Sequence, residues 1–474
     1  MPTTKKTKIV ATLGPACSDK KTMFKMIKAG VNVFRINFSH ANYDIVKKNI
    51  EIIRELNDEH NINTAILADL QGPKLRVGTM KENVLNVGDT FTFTTNECIG
   101  DGKKAFMTYQ NFPRDVKKGE HILVDDGKLL FEVIDTNGED EVQTKVLRGG
   151  SLKSKKGVNL PNTNISLPAL TEKDIKDANF AIEQGVDWIA LSFVRTAEDL
   201  QSLHKLIAEK SQFKIPVVAK IEKPEAIENL DALIPYCDGL MVARGDLGVE
   251  LPMQKVPLLQ KKLVQRAKQA RIPVIIATQM MESMIQSQVP TRAEVNDVAN
   301  SIMDGADAVM LSGETSVGEY PVTVIEQMAK IIRGVEHSPL IQVPKDPPFI
   351  KTNRFVTKAV CYHAASVSDE IDAKAIATLT NSGYTAFQIS AWRPKADIIT
   401  FTSNKRILTM LNLLWGVNAY FYDRKVSTDE TVEDINNFAK EKGIVKDGDF
   451  VVTLTSMPVK AKGMVNTLRI SEIE

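Results

Sequence analysis

The sequence has almost no net charge, because 59 aspartate and glutamate residues balance its 60 lysine and arginine residues. Proteins that bind nucleic acid or a membrane surface through their overall field carry a marked basic excess or patch. We therefore expect neither nucleic acid nor a membrane among the partners of this chain. An anionic ligand must instead be recognised by a few local cations.

Cysteine is also scarce, with four residues in 474, at positions 17, 98, 237 and 361. They form no CxxC motif and have no histidine at zinc-binding spacing, which argues against a disulfide framework and against a zinc site. No apolar run approaches the length that spans a bilayer, and no signal-peptide pattern follows the first residues. These absences predict reduced thiols and a cytoplasmic location.

What the sequence does contain is a repeated pattern: a short β-branched apolar run, polar residues at its end, and then a helical stretch. Near-continuous apolar runs of this length are typical of parallel strands that are covered on both faces. Eight occur, at 8–14, 31–39, 65–70, 188–193, 216–222, 239–246, 274–280 and 308–314. Helix signals lie between them, such as the capping-box sequence from Thr291 to Glu294. The alternation predicts an α/β fold, a (β/α)₈ or TIM barrel.

Two interruptions divide the chain. After Asp69, short strand-like runs separated by glycine turns predict an inserted all-β domain at 73–168, a small β-barrel that leaves the catalytic end of the main barrel and acts as a lid. The main barrel then occupies 1–72 and 169–340. Prolines cluster from 339 to 348, and a shorter strand–helix pattern predicts an open α/β regulatory domain at 350–474.

Polar residues end all eight predicted strands, and in a parallel barrel these ends meet on the catalytic face. A single polar strand end can simply meet water, but repetition around the barrel favours a site. The residues are Thr12, Arg35, Asn37, Ser39, Asp69, Ser192, Lys220, Glu222, Arg244, Asp246, Thr278, Gln279, Ser312 and Glu314.

Glu222 and Asp246 end neighbouring predicted strands and suit Mg²⁺ or Mn²⁺, which prefer oxygen ligands and share coordination with substrate phosphate. Lys220 lies two residues before Glu222, so both side chains point to the same side of an extended strand. Its ammonium group can neutralise a migrating phosphoryl group or an enolate. The alternative is a structural ion pair with Glu222. Gly245, which follows Arg244, allows backbone N–H groups to approach an anion such as a carboxylate.

Eight short segments, specific in their joint order rather than singly, match one known family. They are 11–15 (ATLGP), 34–40 (FRINFSH), 69–76 (DLQGPKLR), 156–161 (KGVNLP), 220–222 (KIE), 242–250 (VARGDLGVE), 277–284 (ATQMMESM) and 311–315 (LSGET). Through them the chain resembles the pyruvate kinases over nearly its whole length. The resemblance implies a barrel with a β lid and a C-terminal α/β domain, phosphoryl transfer from phosphoenolpyruvate to ADP to give pyruvate and ATP, and a homotetramer.

The resemblance also implies residue roles. Glu222 and Asp246 hold the divalent metal, and Lys220 and Arg35 stabilise the transferred phosphoryl group. The substrate carboxylate meets Gly245, Asp246 and Thr278, and Ser312 and Glu314 lie with Thr278 where the enolate is protonated. The nucleotide-side positions are Arg35, Asn37, His40, Arg76 and Lys156. Arg76 is expected to latch the closed lid through Asp125 or Asp126.

One departure from the family concerns K⁺, whose usual ligands match Asn37, Ser39, Asp69 and Leu70. K⁺-dependent members carry a glutamate where this chain has Lys74. An ammonium group there would supply the charge internally, and a second cation a few ångströms away would be repelled by on the order of several kcal/mol. We predict that K⁺ is not required. The alternative is that Lys74 turns to solvent and the site still takes K⁺.

A second departure concerns the effector. The loop that contains Thr380, Asn381, Ser382, Gly383 and Thr385 matches the sugar-phosphate loop of the family, and its hydroxyls and N–H groups can cradle a phosphate. A turn without a ligand is the alternative. The segment 456–466 lacks the glycine-rich sequence usual there. The sequence therefore favours a phosphorylated sugar effector other than fructose 1,6-bisphosphate.

Two other functions stay open at this point. A metal-dependent lyase or aldolase on a barrel would use the same carboxylates but would need neither ADP nor a lid. A catalytically silent sugar-phosphate sensor would work through its C-terminal domain alone.

Overall fold

A computed structural model describes residues 5–338, 354–424, 426–457 and 464–474, with the backbone alone for His40. Its strands fall into a barrel, an inserted sheet and a C-terminal sheet. In chain order they are β1 (Lys8–Thr12), β2 (Val33–Asn37) and β3 (Ala65–Asp69); β4 (Thr90–Thr94), β5 (Lys104–Phe106), β6 (His121–Val124), β7 (Leu129–Thr136), β8 (Glu141–Arg148) and β9 (Val158–Asn159); β10 (Trp188–Leu191), β11 (Val217–Ile221), β12 (Gly239–Ala243), β13 (Val274–Ala277) and β14 (Ala308–Leu311); and β15 (Ala375–Leu379), β16 (Asp397–Thr402), β17 (Val417–Phe421), β18 (Phe450–Thr455) and β19 (Thr467–Glu472).

The helices alternate with the barrel strands and with those of the C-terminal sheet. They are α1 (Lys20–Ala29), α2 (Tyr43–His60), α3 (Phe112–Asp115), α4 (Glu172–Glu183), α5 (Ala197–Lys210), α6 (Pro224–Glu228), α7 (Leu230–Leu233), α8 (Arg244–Glu250), α9 (Val256–Ala270), α10 (Arg292–Asp304), α11 (Gly313–Ser316), α12 (Pro321–Glu336), α13 (Phe355–Glu370), α14 (Tyr384–Ala391), α15 (Lys405–Met410) and α16 (Thr428–Glu441).

The eight predicted strands form a closed parallel barrel in chain order, β1-β2-β3-β10-β11-β12-β13-β14, which confirms the predicted architecture. The barrel strands are buried on both faces, as their apolar runs indicate. Thr291 caps α10 in a capping box with Glu294, as predicted. Helix α1 is capped by Asp19, whose carboxylate accepts from Thr22 N, and the hydroxyl of the preceding Ser18 donates to Gly14 O.

The insertion between β3 and β10 is a six-stranded sheet in the order β5-β4-β8-β7-β6-β9. Its hydrogen-bonded ladders do not close, where the sequence led us to expect a small β-barrel. Isolated bridges from Arg76 to Gly157 and from Val77 to Met107 join the two edges through the segment that enters the domain. Its core contains an aromatic cluster with Phe91, Phe93 and Phe131.

The C-terminal sheet has the order β17-β16-β15-β18-β19, parallel except for the antiparallel β19. The sequence did not predict β19, since as an edge strand it is largely exposed and lacks a buried apolar run. This domain contacts the amino-terminal face of the barrel: Lys8 donates to Val417 O at 2.8 Å, and Trp188 Nε1 donates to Met410 O at 3.0 Å. Among the described residues, no helix combines the length and apolarity needed to cross a bilayer.

Candidate active site

Four charged side chains from three strands meet at the carboxyl-terminal end of the barrel, and we call Arg35, Asp69, Lys220 and Glu222 the charged quartet. Lys220 Nζ lies 3.1 Å from Asp69 Oδ1 and 2.9 Å from Glu222 Oε1. Arg35 Nε lies 2.6 Å from the other oxygen of Asp69. Because β2, β3 and β11 end at the same face, residues far apart in the chain form one compact array of alternating charge.

The quartet is almost withdrawn from water, and the opposite charges within it decide its protonation. Burial lowers the pKa of Lys220, but the carboxylates of Asp69 and Glu222 outweigh burial and raise the pKa above its ordinary value. Burial raises the pKa of Asp69, but Lys220 and Arg35 outweigh it and hold the pKa below its ordinary value. Lys220 is therefore a permanent cation that also donates to Ser192 Oγ at 2.7 Å.

Asp246, in the first turn of α8, lies close enough to Glu222 to affect its ionisation. Burial raises the pKa of Glu222, and Asp246 adds to this increase against the opposing effect of Lys220. In the described part of the chain the Asp246 carboxylate has no hydrogen-bond or ion-pair partner, and it lines the cleft between barrel and insertion. Two neighbouring carboxylates, one of them free, fit Mg²⁺ or Mn²⁺.

No group of three or more His, Cys, Asp or Glu side chains suited to a metal occurs among the described residues. Glu222 and Asp246 alone would therefore leave most coordination positions of a divalent ion to substrate oxygens and water. That distribution is the usual one for Mg²⁺ at phosphate-transfer sites.

Gly245 and Thr278 form a strained junction beside Asp246. Thr278 has φ +72° and Gln279 has φ +54°, in the left-handed region that a β-branched residue rarely enters. The Thr278 hydroxyl accepts from Gly245 N at 2.7 Å and donates to Ala277 O at 2.6 Å. These two hydrogen bonds hold the hydroxyl over the amino-terminal end of α8.

Arg244, expected on the rim of the site, has a structural part here. Its guanidinium donates to Thr278 O at 2.7 Å and lies 2.6 Å from Asp297 Oδ1. Arg244 therefore ties the strained Thr278 to α10.

Glu314 also has a structural role. Its side chain is 2% exposed and accepts from Ser312 N at 2.7 Å and from Met281 N at 3.2 Å, which fixes the loop after β14.

The positions expected for a monovalent ion lie around the quartet. Asn37 Oδ1 accepts from Ser39 N at 3.1 Å, Asp69 belongs to the quartet, and Leu70 O accepts from Ser192 Oγ at 2.7 Å. Lys74 is exposed and lines the same cleft as Asp246. Within the described residues its ammonium group has no hydrogen-bond or ion-pair partner.

On the insertion, the structure differs from the expected latch. Arg76 donates to Lys155 O at 2.9 Å and does not pair with Asp125 or Asp126. Asp125 instead pairs with Lys156 at 2.8 Å, and this hydrogen bond holds the pKa of Asp125 below its ordinary value. Lys156 is therefore engaged within the insertion. The side chain of His40 lies outside the described residues.

Sequence reasoning missed a buried network that connects the insertion to the barrel. Lys223 Nζ lies 2.7 Å from Glu250 Oε1, with their side chains 6% and 0% exposed, and Asn159 Nδ2 on β9 donates to the same oxygen at 2.8 Å. Lys223 follows Glu222 directly, and Glu250 ends the helix that begins with Arg244, Gly245 and Asp246. The positions of Lys223 and Glu250 next to predicted site residues could have indicated this network from sequence. They do not reveal Asn159 as the partner of Glu250.

The predicted effector loop forms a closed turn at the start of α14. Thr380 Oγ1 accepts from Gly383 N at 2.9 Å, Gly383 has φ +83°, and Thr385 Oγ1 accepts from Thr378 at 3.0 Å in a buried position. Asn381 and Ser382 remain exposed. The segment 458–463 on which part of the effector prediction rested lies outside the described residues.

Comparison with known proteins places these observations in a family. Residues 4–325 match the family model described as "Pyruvate kinase, barrel domain", and residues 358–471 match "Pyruvate kinase, alpha/beta domain". The chain is 39% identical to a pyruvate kinase of Mycobacterium tuberculosis over 99% of both chains, and 41% identical to pyruvate kinase 2 of Synechocystis over 100% of this chain and 80% of that one. A crystal structure of a pyruvate kinase from Cryptosporidium parvum superposes with a TM-score of 0.91 at 32% identity, covering 99% of this chain and 96% of the other.

Proposed function

Because this chain belongs to the pyruvate kinase family, we propose that its charged quartet and Asp246 carry the transfer of the phosphoryl group from phosphoenolpyruvate to ADP, which yields pyruvate and ATP. The single observation that supports this assignment most strongly is the position of Lys220 Nζ, held between the carboxylates of Asp69 and Glu222 at the open end of the barrel. Phosphoryl transfer needs little covalent chemistry from the protein but much charge compensation and positioning.

In the proposed mechanism each cation of the quartet has one task. Lys220 lies against the phosphoryl group as it leaves and against the enolate oxygen that remains, so it stabilises charge at both ends of the breaking bond. Arg35 is oriented by Asp69 and by Thr12, whose hydroxyl it contacts at 3.0 Å, and presents its remaining N–H groups to the phosphoryl oxygens.

The substrate carboxylate is proposed to sit at the start of α8. The N–H of Gly245 reaches it when Thr278 moves its hydroxyl from that N–H to the substrate. The same hydroxyl then stands beside the enolate carbon, where a proton must arrive to complete pyruvate. Ser312 and Glu314 act indirectly, because their hydrogen bonds fix the loop after β14 next to Met281.

Glu222 and Asp246 are proposed to hold Mg²⁺ or Mn²⁺, which would supply Lewis-acid neutralisation of the phosphate and enolate oxygens. Glu222 has to share its Oε1 between this task and Lys220. Its Oε2 is fixed by Phe193 N at 2.9 Å. The backbone contact keeps Glu222 in place when Lys220 turns towards the substrate.

A lactate-dehydrogenase-coupled assay with phosphoenolpyruvate tests the proposal, run with and without ADP and with and without MgCl₂. We expect pyruvate only when ADP and the divalent ion are both present. Pyruvate formed without ADP would indicate hydrolysis of phosphoenolpyruvate, with water as the phosphoryl acceptor. A folded protein that shows no turnover under any condition would leave the lyase and the silent sensor as the remaining functions.

We also propose that K⁺ is not required, because the ammonium group of Lys74 lines the same cleft as Asp246 and has no partner in the described part of the chain. Activity should be unchanged when KCl replaces tetramethylammonium chloride at constant ionic strength. The variant Lys74→Glu should become K⁺-activated, since it removes one cation and adds an anion beside the site. Lys153→Glu, an exposed lysine of the insertion, is the matched control. Large, saturable K⁺ activation of the unmodified enzyme would contradict the proposal.

The contact between Asn159 and Glu250 is proposed to set the position of the insertion over the cleft. Asn159→Ala should raise the KM for ADP by about tenfold, the equivalent of one hydrogen bond to a charged group. Asn159→Asp should raise it further, because a second carboxylate would face Glu250. Asn96→Ala, which removes a contact to Asp140 within the insertion, should leave the KM unchanged. Equal effects of all three substitutions would count against a positioning role.

The homotetramer and the cytoplasmic location implied by the resemblance remain predictions. Multi-angle light scattering after gel filtration measures the first directly. Neither bears on the chemistry of the quartet, whose members all come from one chain.

A further inference from the structure

Glu250, the last residue of α8, uses one of its two carboxylate oxygens and leaves the other without a donor. Lys223 Nζ lies 2.7 Å from Oε1, and Asn159 Nδ2 donates to the same oxygen at 2.8 Å. Oε2 is buried and has no hydrogen-bond partner among the described residues. A carboxylate oxygen that is shielded from bulk water and lacks a donor costs free energy. It therefore marks a position where a donor is expected.

The position of Glu250 on α8 brings it next to the proposed metal ligands. The helix runs from Arg244 to Glu250, and Asp246 lies four residues before its end. Side chains four residues apart lie on the same side of a helix, one turn from each other. Asp246, Glu250 and Lys223 all line the cleft between the barrel and the insertion, and Lys223 directly follows Glu222 in the chain. Each proposed metal ligand thus has a close neighbour in the Lys223–Glu250 pair.

The cationic side chains that line this cleft do not reach Oε2. Arg195 donates to Ile165 O and to Leu167 O instead. Lys223 is turned to Oε1, and Lys74 is exposed to solvent. Within the part of the chain that the structure describes, the donor for this oxygen therefore has to be water or a ligand.

The free space of the cleft decides between water and a ligand. It amounts to about 40 Å³, which is room for a few water molecules and too little for a sugar or a nucleotide base. A divalent ion held by two carboxylates keeps several waters, since Mg²⁺ gives them up reluctantly. Water in the coordination shell of a cation is polarised by the ion, and a carboxylate is a strong acceptor for it.

We propose that Glu250 is a positioning residue for the divalent ion: its Oε2 accepts a hydrogen bond from a water molecule in the coordination shell of the ion held by Glu222 and Asp246. This inference rests on the proposed function, from which it takes the metal pair. Lys223 compensates the charge of Glu250, so the site gains an acceptor without gaining net negative charge. Because Asn159 belongs to the insertion and shares the same carboxylate, the position of the insertion is connected to the water shell of the metal.

The substitution Glu250→Gln tests the role of this oxygen with little change in shape. Lys223 and the Asn159 amide both donate, so the carbonyl oxygen of the new side chain should keep the place of Oε1. Its NH₂ group then takes the place of Oε2, where a donor cannot accept from water. In isothermal titration without phosphoenolpyruvate or ADP, we expect the Kd for Mn²⁺ to rise about 10–100-fold, the usual effect of losing a group that orients the ligand shell of a metal.

The relaxation of water protons by bound Mn²⁺ is the second readout, because it reports how fast water leaves the ion. We expect this exchange to be about tenfold faster in Glu250→Gln, the effect of losing one hydrogen bond to a charged group. A second variant, Glu250→Asp, keeps the charge but withdraws both oxygens by one methylene group, and it should change both readouts in the same direction.

The matched control is Asp307→Asn. Asp307 is also a buried carboxylate that pairs with a cation, but it directly precedes β14 at the amino-terminal end of the barrel. The control should change neither the Kd for Mn²⁺ nor the exchange of water. Circular dichroism at the temperature of the titration shows whether each variant is folded.

The variant Asp246→Asn separates this inference from the proposed metal pair. If Asp246→Asn loses saturable Mn²⁺ binding while Glu250→Gln binds Mn²⁺ as the unmodified protein does, the role of Glu250 is wrong and the metal pair stands. Weaker binding in Glu250→Gln with unchanged water exchange would also overturn the inference, because a purely structural role alters affinity alone. So would equal losses in Glu250→Gln and Asp307→Asn. If Asp246→Asn binds Mn²⁺ normally, the metal pair fails and this inference fails with it.

Discussion

Replacing Lys220 by methionine is expected to lower kcat by about 10²–10³-fold or more, the usual loss when one preorganised electrostatic stabiliser is removed. Lys220 is the cation of the quartet that touches two carboxylates, and it is the group proposed to compensate both the migrating phosphoryl group and the enolate. The KM for phosphoenolpyruvate should change less than kcat, because the charge that Lys220 compensates develops mainly in the transition state. Coupled steady-state kinetics measures both.

The variant also leaves Asp69 and Glu222 buried without this cation, so its stability has to be compared with that of a suitable control. Lys223→Met is such a control: Lys223 is another buried lysine that pairs with a buried carboxylate, but it lies outside the quartet. Both substitutions should lower the thermal transition, and only Lys220→Met should remove nearly all turnover. A similar loss of kcat in both, at a temperature where both are folded, would show that the effect is structural.

The second large effect is expected in stability. Arg393→Met should lower the free energy of unfolding by about 3–5 kcal/mol, the usual cost of breaking a buried ion pair by removing one partner. Arg393 Nη1 lies 2.8 Å from Asp307 Oδ1, with side chains 4% and 7% exposed, and its Nη2 donates to Gly305 O at 2.8 Å. This one guanidinium therefore joins the C-terminal domain to the segment that enters β14.

Urea unfolding followed by tryptophan fluorescence and by circular dichroism measures this change, and the two signals should separate if the domains come apart before the barrel unfolds. Arg424→Met removes an ion pair with Asp434 that is largely exposed on the arginine side, and it should change stability very little. An Arg393→Met protein as stable as the unmodified chain would mean that Asp307 finds another donor besides Val274 N.

The barrel was predictable from sequence because each strand is a short apolar run that must be covered on both faces, and eight such runs can close in only one simple way. The search for short apolar runs did not identify β19, an exposed edge strand whose formation depends on pairing with β18 rather than on its own composition. It also gave a small β-barrel for the insertion where the structure has an open sheet, since alternating strands do not reveal whether the two edges of a sheet join.

The charged quartet could be anticipated because parallel strands bring their carboxyl-terminal ends to one face. What could not be anticipated is which partner each side chain would take. Arg244 directly follows β12 and Arg35 lies on β2, yet Arg244 fixes the backbone of Thr278 instead of joining the quartet. Asp125 pairs with Lys156 rather than with Arg76, and Asn159 finds Glu250 at a separation of 91 residues. Such contacts depend on domain geometry, which a local pattern does not encode.

The quartet has a consequence for the order in which ligands bind. The two cations and two anions of the quartet cancel, so the negative charge that remains beside them for an incoming divalent ion is that of Asp246. A metal ion arriving by itself is attracted weakly, and a strongly anionic substrate arriving by itself meets Asp246 as a repulsive neighbour. When both arrive, the metal ion neutralises Asp246, which otherwise repels the substrate. The anionic substrate in turn supplies the negative charge that attracts the metal ion. The enzyme should therefore show mutual tightening: Mn²⁺ affinity rises when phosphoenolpyruvate is present, and phosphoenolpyruvate affinity rises by the same factor when Mn²⁺ is present.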